Sequence, residues 1–248
     1  FYYCNALTSI AFPESYGQNA TSTKEMFSNC VVLKTLDLSG MDTSKVEDMT
    51  KMFENCGNLK TLDLSGFDTS NVQTMENMFC YCYDLESLDV SSFNTSQVIN
   101  MRYMFCGCFA LEELDVTSFD TSQVLTMYCM FYDCRKLTSL NLASFDTSKV
   151  SELASMFKNC SGLKTIYASK NFKVDQAWWT DWMFDGATAL TGGAGTTYSS
   201  DHTDGTGACI DKTSGTTWGT DKGYFTGADP MHRMYNPYSG EHFYTADD

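Results

Sequence analysis

The sequence predicts an α/β solenoid of about eight strand–helix rungs with a C-terminal cap. A phenylalanine followed three residues later by cysteine recurs at Phe1/Cys4, Phe27/Cys30, Phe53/Cys56, Phe79/Cys82, Phe105/Cys108, Phe131/Cys134 and Phe157/Cys160, every 26 residues. An eighth beat, Phe184 with Ala187, comes after 27. Self-similarity at a fixed period of this size marks a stack of repeated units, each covering the apolar face its neighbour cannot cover alone. Within every period a short alternating apolar segment precedes a longer apolar stripe, so each rung reads as strand, corner, helix.

The stretch from Phe53 to Met78 shows the elements in order. Leu59, Leu62 and Leu64 fit the L-x-x-L-x-L strand of a leucine-rich repeat, with Leu62 and Leu64 inward and Thr61, Asp63 and Ser65 outward on a concave face. Phe67 plugs the corner before Asp68-Thr69-Ser70. Val72, Met75, Met78, Phe79 and Cys82 then follow at spacings of three, three, one and three, which predicts a helix of about three turns. Ser44-x-x-Glu47 and Ser70-x-x-Gln73 read as capping boxes for such helices. Residues 1–190 are assigned to the solenoid, 191–229 to the cap and 230–248 to the start of a separate pattern. The Gly-, Thr- and Asp-rich cap, ending in Gly223-Tyr224-Phe225-Thr226, is expected to fold over Trp178 and Trp182.

Composition narrows the function. The 248 residues are 43% hydrophobic, which excludes wholesale disorder. Sixteen Lys and Arg against 31 Asp and Glu give a formal net charge of −15, with no basic run to neutralise a phosphate backbone, so nucleic acid is a poor partner. No stretch approaches the roughly 20 apolar residues of a membrane span, and no membrane insertion of this piece is expected. The chain starts on a repeat phenylalanine and stops inside a new pattern, as an excised piece of a longer protein does.

The unit L-x-x-L-D-L-S-x-F-D-T-S-x-V-x-x-M-x-x-M-F-x-x-C, repeated over roughly residues 1–190, resembles the BspA-like leucine-rich repeat family of bacterial surface proteins. That resemblance implies an extracellular location on the bacterial cell surface. It also implies an adhesin-like role in contact with a protein, such as a host cell-surface or secreted protein, rather than an enzymatic one. The segment from Met234 to Thr245 looks like the opening of a second module found in secreted bacterial proteins.

Candidate chemistry is sparse. Seven of the 11 cysteines share one column of the repeat, where Ala187 shows that the slot takes a small apolar group, so they read as buried thiols. Zinc would need paired cysteines with closing ligands, and no metal or cofactor is expected. All three histidines, His202, His232 and His242, lie outside the regular repeats, which leaves Cys209 near His202 as the nearest approach to a Cys-His pair. Asp201, Asp204 and Asp211 lack the alternating ligands of a calcium loop. Asp37, Asp63, Asp89 and Asp115, followed by Asn141, stack on the strand face. They offer a carbohydrate or cation site there, or simply accept bonds from neighbouring hydroxyl and backbone groups.

The outward positions carry the functional signal. In the rung that starts at Phe27 they are Glu47, Asp48, Thr50 and Lys51, as water requires. In the middle rungs Ile99 and Tyr103, then Leu125, Tyr128 and Tyr132, stand opposite the core stripe of the expected helices, with Tyr81, Tyr83 and Phe109 at neighbouring turns. An apolar, tyrosine-rich patch rimmed by polar residues is the look of a protein-binding surface. A structural spacer on the cell surface is the alternative. Cys80 and Cys106 share one outward column and could be bridged if their Cα atoms come within about 7 Å.

Overall fold

The computed structural model describes residues 1–212, 222–228, 234–235 and 242–243. The repeats stack in register, and the repeat phenylalanines form one continuous column from Phe1 to Phe184. Their rings lie 5.5 to 5.8 Å apart and within 17° of parallel. From Phe27 onward every ring in that column is fully buried, and full burial of such a ring contributes about 1.5–3 kcal/mol. Columns of Met, Leu, Val and Cys flank it in a single core.

Strands form at the ends of the stack. Strand β1 (Ser9–Ala11) pairs in parallel with β2 (Thr35–Asp37), Ser9 opposite Thr35. Near the other end β3 (Ser139–Leu142), β4 (Thr165–Ala168) and β5 (Phe225–Gly227) make a parallel sheet in that order. The middle rungs keep the inward alternation without a strand ladder: Leu88 and Val90 are buried while Ser87, Asp89 and Ser91 are exposed. Two further strands, β6 (Met234–Tyr235) and β7 (His242–Phe243), pair antiparallel. Most of the expected 230–248 module, His232 included, lies outside the described residues.

The expected helices do not form, and this corrects the strand–helix rung. Each apolar stripe is instead a chain of four-residue turns closed by N–H groups three residues on. Val46 N donates to Thr43 O, Met52 N to Met49 O, Cys56 N to Phe53 O and Leu59 N to Cys56 O. Two residues per rung adopt left-handed backbone, four apart: Lys51 and Asn55, Asn77 and Tyr81, Tyr103 and Gly107, Cys129 and Asp133. N–H groups that a helix would keep for itself point along the stack. Thus Lys51, Phe53 and Asn55 donate to the carbonyls of Glu76, Met78 and Cys80 in the next rung, at 2.7 to 2.9 Å. The apolar spacing of three is common to a helix and to linked turns, so periodicity alone cannot separate them.

The Asp-Thr-Ser corners serve this stacking rather than helix capping. Asp68 Oδ1 accepts from Ser70 N at 2.9 Å, a local Asx turn, and Ser44 N is likewise bound to Asp42, so no capping box exists there. The threonine between them is buried and reaches across rungs. Thr121 Oγ1 donates to Asp146 O at 2.9 Å and accepts from Asp146 N at 2.8 Å, and Thr43 and Thr69 do the same to Asp68 and Asn94.

Six of the seven repeat cysteines are buried as expected, with Cys4 half-buried, and they also bond. Cys56, Cys82, Cys108, Cys134 and Cys160 each donate Sγ–H to the carbonyl of the phenylalanine 29 residues earlier, at 2.9 to 3.3 Å. Burial pushes Cys82 and Cys160 up to about 12 from an ordinary 9.0.

Beyond Leu190 the chain seals the stack. Tyr224 meets the last ring of the column, Phe184, edge-on at 5.0 Å, and β5 extends the sheet beside β4. Buried Asp211 ties this end together, accepting from Ala194 N, Thr196 N and Thr196 Oγ1 at 2.7 to 2.9 Å. Burial alone would raise its pKa, but these bonds outweigh it and hold the carboxyl below its usual value. The end segment covers Phe184, not Trp178 and Trp182, which remain exposed and correct that expectation.

Thr121→Val should cost roughly 2–3 kcal/mol, because it leaves both the N–H and the C=O of Asp146 without their partner. Urea unfolding measures this, and Thr121→Ser should retain most of the stability. Column thiols with raised pKa values contribute stability that is complete below about pH 9 and lost as pH rises toward 12, since the folded state holds the proton more tightly. Melting temperatures across pH 8 to 11 should therefore fall steeply, and less so in Cys82→Ala.

Candidate functional site

The register of the stack sorts the outward side chains into columns, one residue per rung. One column runs Thr21, Glu47, Gln73, Ile99, Leu125, Ser151 and Trp178, each N–H bonded to the carbonyl of the preceding member at 2.8 to 3.1 Å. It begins polar and turns apolar in the middle: Ile99 is 43% and Leu125 48% exposed, and Trp178, one rung past Ser151, is 71% exposed. The adjoining column, Asp48, Thr74, Asn100, Thr126, Glu152 and Trp179, is linked by parallel bridges at every step. Two rows of contiguous backbone thus hold these side chains on a rigid base.

Aromatic rings gather beside this column. Tyr103 meets Tyr128 edge-on at 5.1 Å, Tyr128 stacks on Trp179 at 4.8 Å, and Trp179 stacks on Trp178 at 5.9 Å. The Arg102 guanidinium lies 5.1 Å over the Tyr128 ring, with Nη1 3.4 Å from Glu152 Oε2, which also accepts from Thr126 Oγ1. Burial, and after it the hydroxyl of Tyr128, pushes the Tyr103 phenol up. The aromatic surface therefore stays uncharged at neutral pH.

A second cluster occupies the turns after the repeat phenylalanines. Tyr81 lies 5.7 Å from Tyr83 and Tyr83 5.0 Å from Phe109, over which the Arg135 guanidinium sits at 4.5 Å. Arg135 is itself held by Asp133 at 2.7 and 3.0 Å. Tyr132 follows Cys80 and Cys106 in a separate column and is half-buried. The residues expected to share one helical face thus divide by column. Ile99 and Leu125 stand together, Tyr103 and Tyr128 pair behind them, and Tyr81, Tyr83 and Phe109 form their own group. Sequence reasoning missed Trp178, Trp179, Arg102 and Arg135 because columns are aligned by rung, and the 27-residue last step shifts the tryptophans by one position.

On the strand face the carboxylates are occupied locally. Asp37 Oδ1 accepts from Ser39 N at 3.0 Å and Ser39 Oγ at 2.7 Å, and Asp63, Asp89 and Asp115 accept from the N–H two residues on at 2.9 to 3.0 Å. Asn141 makes the same turn with Ala143 N. The serine hydroxyl bonds hold Asp37 below the usual carboxylate range. Among the described residues no three of His, Cys, Asp or Glu are grouped as a metal site, and no helix is long and apolar enough to cross a membrane. Cys209 donates its thiol to the Lys222 carbonyl at 2.9 Å.

Trp178→Ala should leave the melting temperature almost unchanged, since the ring is mostly in water. Tyr128→Ala should destabilise by roughly 2–4 kcal/mol, because it removes a ring packed between Tyr103, Trp179 and Arg102. Thermal unfolding of the two variants in parallel checks the contrast.

The family described as "Mycoplasma protein of unknown function, DUF285" matches this chain over residues 21–115 and 107–205. No curated protein matches it in sequence. A solved leucine-rich repeat protein from Bacteroides ovatus is similar at 15% identity, over 77% of this chain and 67% of that one. Its TM-score of 0.25 is too low for the superposition to bear on the fold. The two matched segments together take in most of the repeats, and the chain belongs to the DUF285 family.

Proposed function

We propose that the chain is a non-enzymatic recognition module of the bacterial cell surface, adhesin-like, which binds a host cell-surface or secreted protein through the aromatic side of its middle and late rungs. The observation that carries this reading is the exposed column Ile99, Leu125, Ser151, Trp178. Its backbone bond recurs at every rung, yet its side chains change from Glu and Gln to Ile, Leu and, past a half-buried Ser151, Trp, beside a packed tyrosine–tryptophan–arginine cluster. Stacking does not require that change, since Glu47 and Gln73 meet the same backbone geometry. Aromatic and arginine side chains held rigid by packing lose little entropy on binding and dominate the energetics of protein interfaces. The strand-face aspartates, by contrast, are accounted for by their turns.

The test measures capture of host surface and matrix proteins by the immobilised chain and by Leu125→Glu with Trp178→Ala. At least tenfold weaker capture by the variant, at an unchanged melting temperature, is expected for loss of contacts at the centre of an interface. Equal binding by the two, or a parent chain that captures nothing and tolerates both substitutions on cells, would sink this reading in favour of a spacer. Asp63→Asn with Asp89→Asn is the control, expected to bind like the parent with or without calcium.

A further inference from the structure

The column of Cys80 and Cys106, expected to face outward, is buried or half-buried at every rung and pairs its side chains between consecutive rungs. It runs Ser28, Glu54, Cys80, Cys106, Tyr132, Lys158 and Asp185. Ser28 Oγ donates to Glu54 Oε2 at 3.0 Å, and Lys158 Nζ lies 2.9 Å from Asp185 Oδ2. Side chains at this position therefore reach their neighbour in the next rung directly. Between those two polar pairs stand Cys80 and Cys106, only 2% and 1% exposed.

The backbone sets their separation. Asn55 N donates to Cys80 O and Tyr81 N to Cys106 O, both at 2.7 Å, and the rings of the preceding residues, Phe79 and Phe105, stack at 5.7 Å and 7°. Neighbouring chains in such register hold matching Cα atoms about 5 Å apart, inside the window of about 4.4–6.8 Å that a disulfide spans. The core thiols have equal spacing but are committed elsewhere, Cys82 to Phe53 O and Cys108 to Phe79 O. Among the described residues neither Cys80 nor Cys106 makes such a bond to a carbonyl. Cys129 stands in a different column, between Tyr103 and Ser155. All eleven cysteines are free thiols in the structure.

We propose that Cys80 and Cys106 are a cross-rung dithiol that a small-molecule disulfide oxidises to a staple between the fourth and fifth rungs, beneath the tyrosine cluster. One thiolate attacks the reagent disulfide, forming a mixed disulfide and releasing one reduced thiol. The second cysteine gives up its proton to solvent and displaces the other reagent thiol. Two cysteine thiols are oxidised and one reagent disulfide is reduced to two thiols. Tyr81 controls access: its ring lies so close over the Cys106–Gly107 segment that a Cβ on Gly107 would come within 2.6 Å of it.

Incubation of the chain and of Tyr81→Ala with oxidised glutathione, then non-reducing digestion and mass spectrometry, tests this. Linked Cys80–Cys106 peptides are expected, forming faster in Tyr81→Ala and vanishing on reduction. The melting temperature should rise by roughly 5–10 °C on oxidation and stay level in Cys80→Ser. The assignment is overturned if both thiols stay reduced in both proteins while half-buried Cys4 and Cys209 are modified, or if either pairs with another cysteine. An unchanged melting temperature in the linked protein overturns the staple.

Discussion

The structure depends on one constraint: the backbone of each rung is completed by the next. Linked turns close only part of their N–H and C=O groups within a rung, and the remainder point along the stack. A buried amide without a partner costs about 1–3 kcal/mol, so a single rung is unstable and a shift of one residue between rungs would orphan a whole row. Buried Thr43, Thr69 and Thr121 apply the same rule to side chains, since each supplies one donor and one acceptor to the rung ahead. Phe, Met and Cys columns follow from this register rather than create it.

Left-handed backbone is the cost of the arrangement. Two residues per rung adopt it, and for residues with a side chain each costs of order 1–2 kcal/mol. The price is reduced where Asn29, Asn55, Asn159, Asp133, Gly107 and Gly186 occupy the second position, as these residue types tolerate that conformation best. Where Tyr81 sits instead, the conformation turns a large side chain outward. Surface chemistry in the fourth rung is thus obtained at a position most other rungs give to asparagine, aspartate or glycine.

Stacking also explains how one side of a repetitive molecule becomes distinctive. Core columns must match at each rung, so they carry no information about a partner. Outward columns are held in register by their backbone, so their side chains are free to change, as Glu47, Gln73, Ile99, Leu125 and Trp178 do along one row. The same freedom places Cys80 beside Cys106, where other rungs have hydrogen-bonded or charged pairs. Side chains far apart in sequence become neighbours here with no loop to bring them together.

The period, the rung boundaries, the inward leucines and the burial of most of the cysteine column are legible in the chain, because each is a statement about which residues recur in phase. The chain also marked Ile99, Leu125 and Tyr128 as departures from that phase. Turns in place of helices were decided by tertiary structure. A three-residue apolar spacing suits either, and only a neighbouring rung in hydrogen-bonding register makes the extended choice favourable. The clue in the chain was the Asn, Asp or Gly before most repeat cysteines, a poor residue within a helix and a good one in left-handed backbone. The grouping of the surface residues was likewise settled by the stack. A helix would have placed Tyr103 and Ile99 on one face, whereas the register sets Ile99 beside Leu125 and leads on to Trp178.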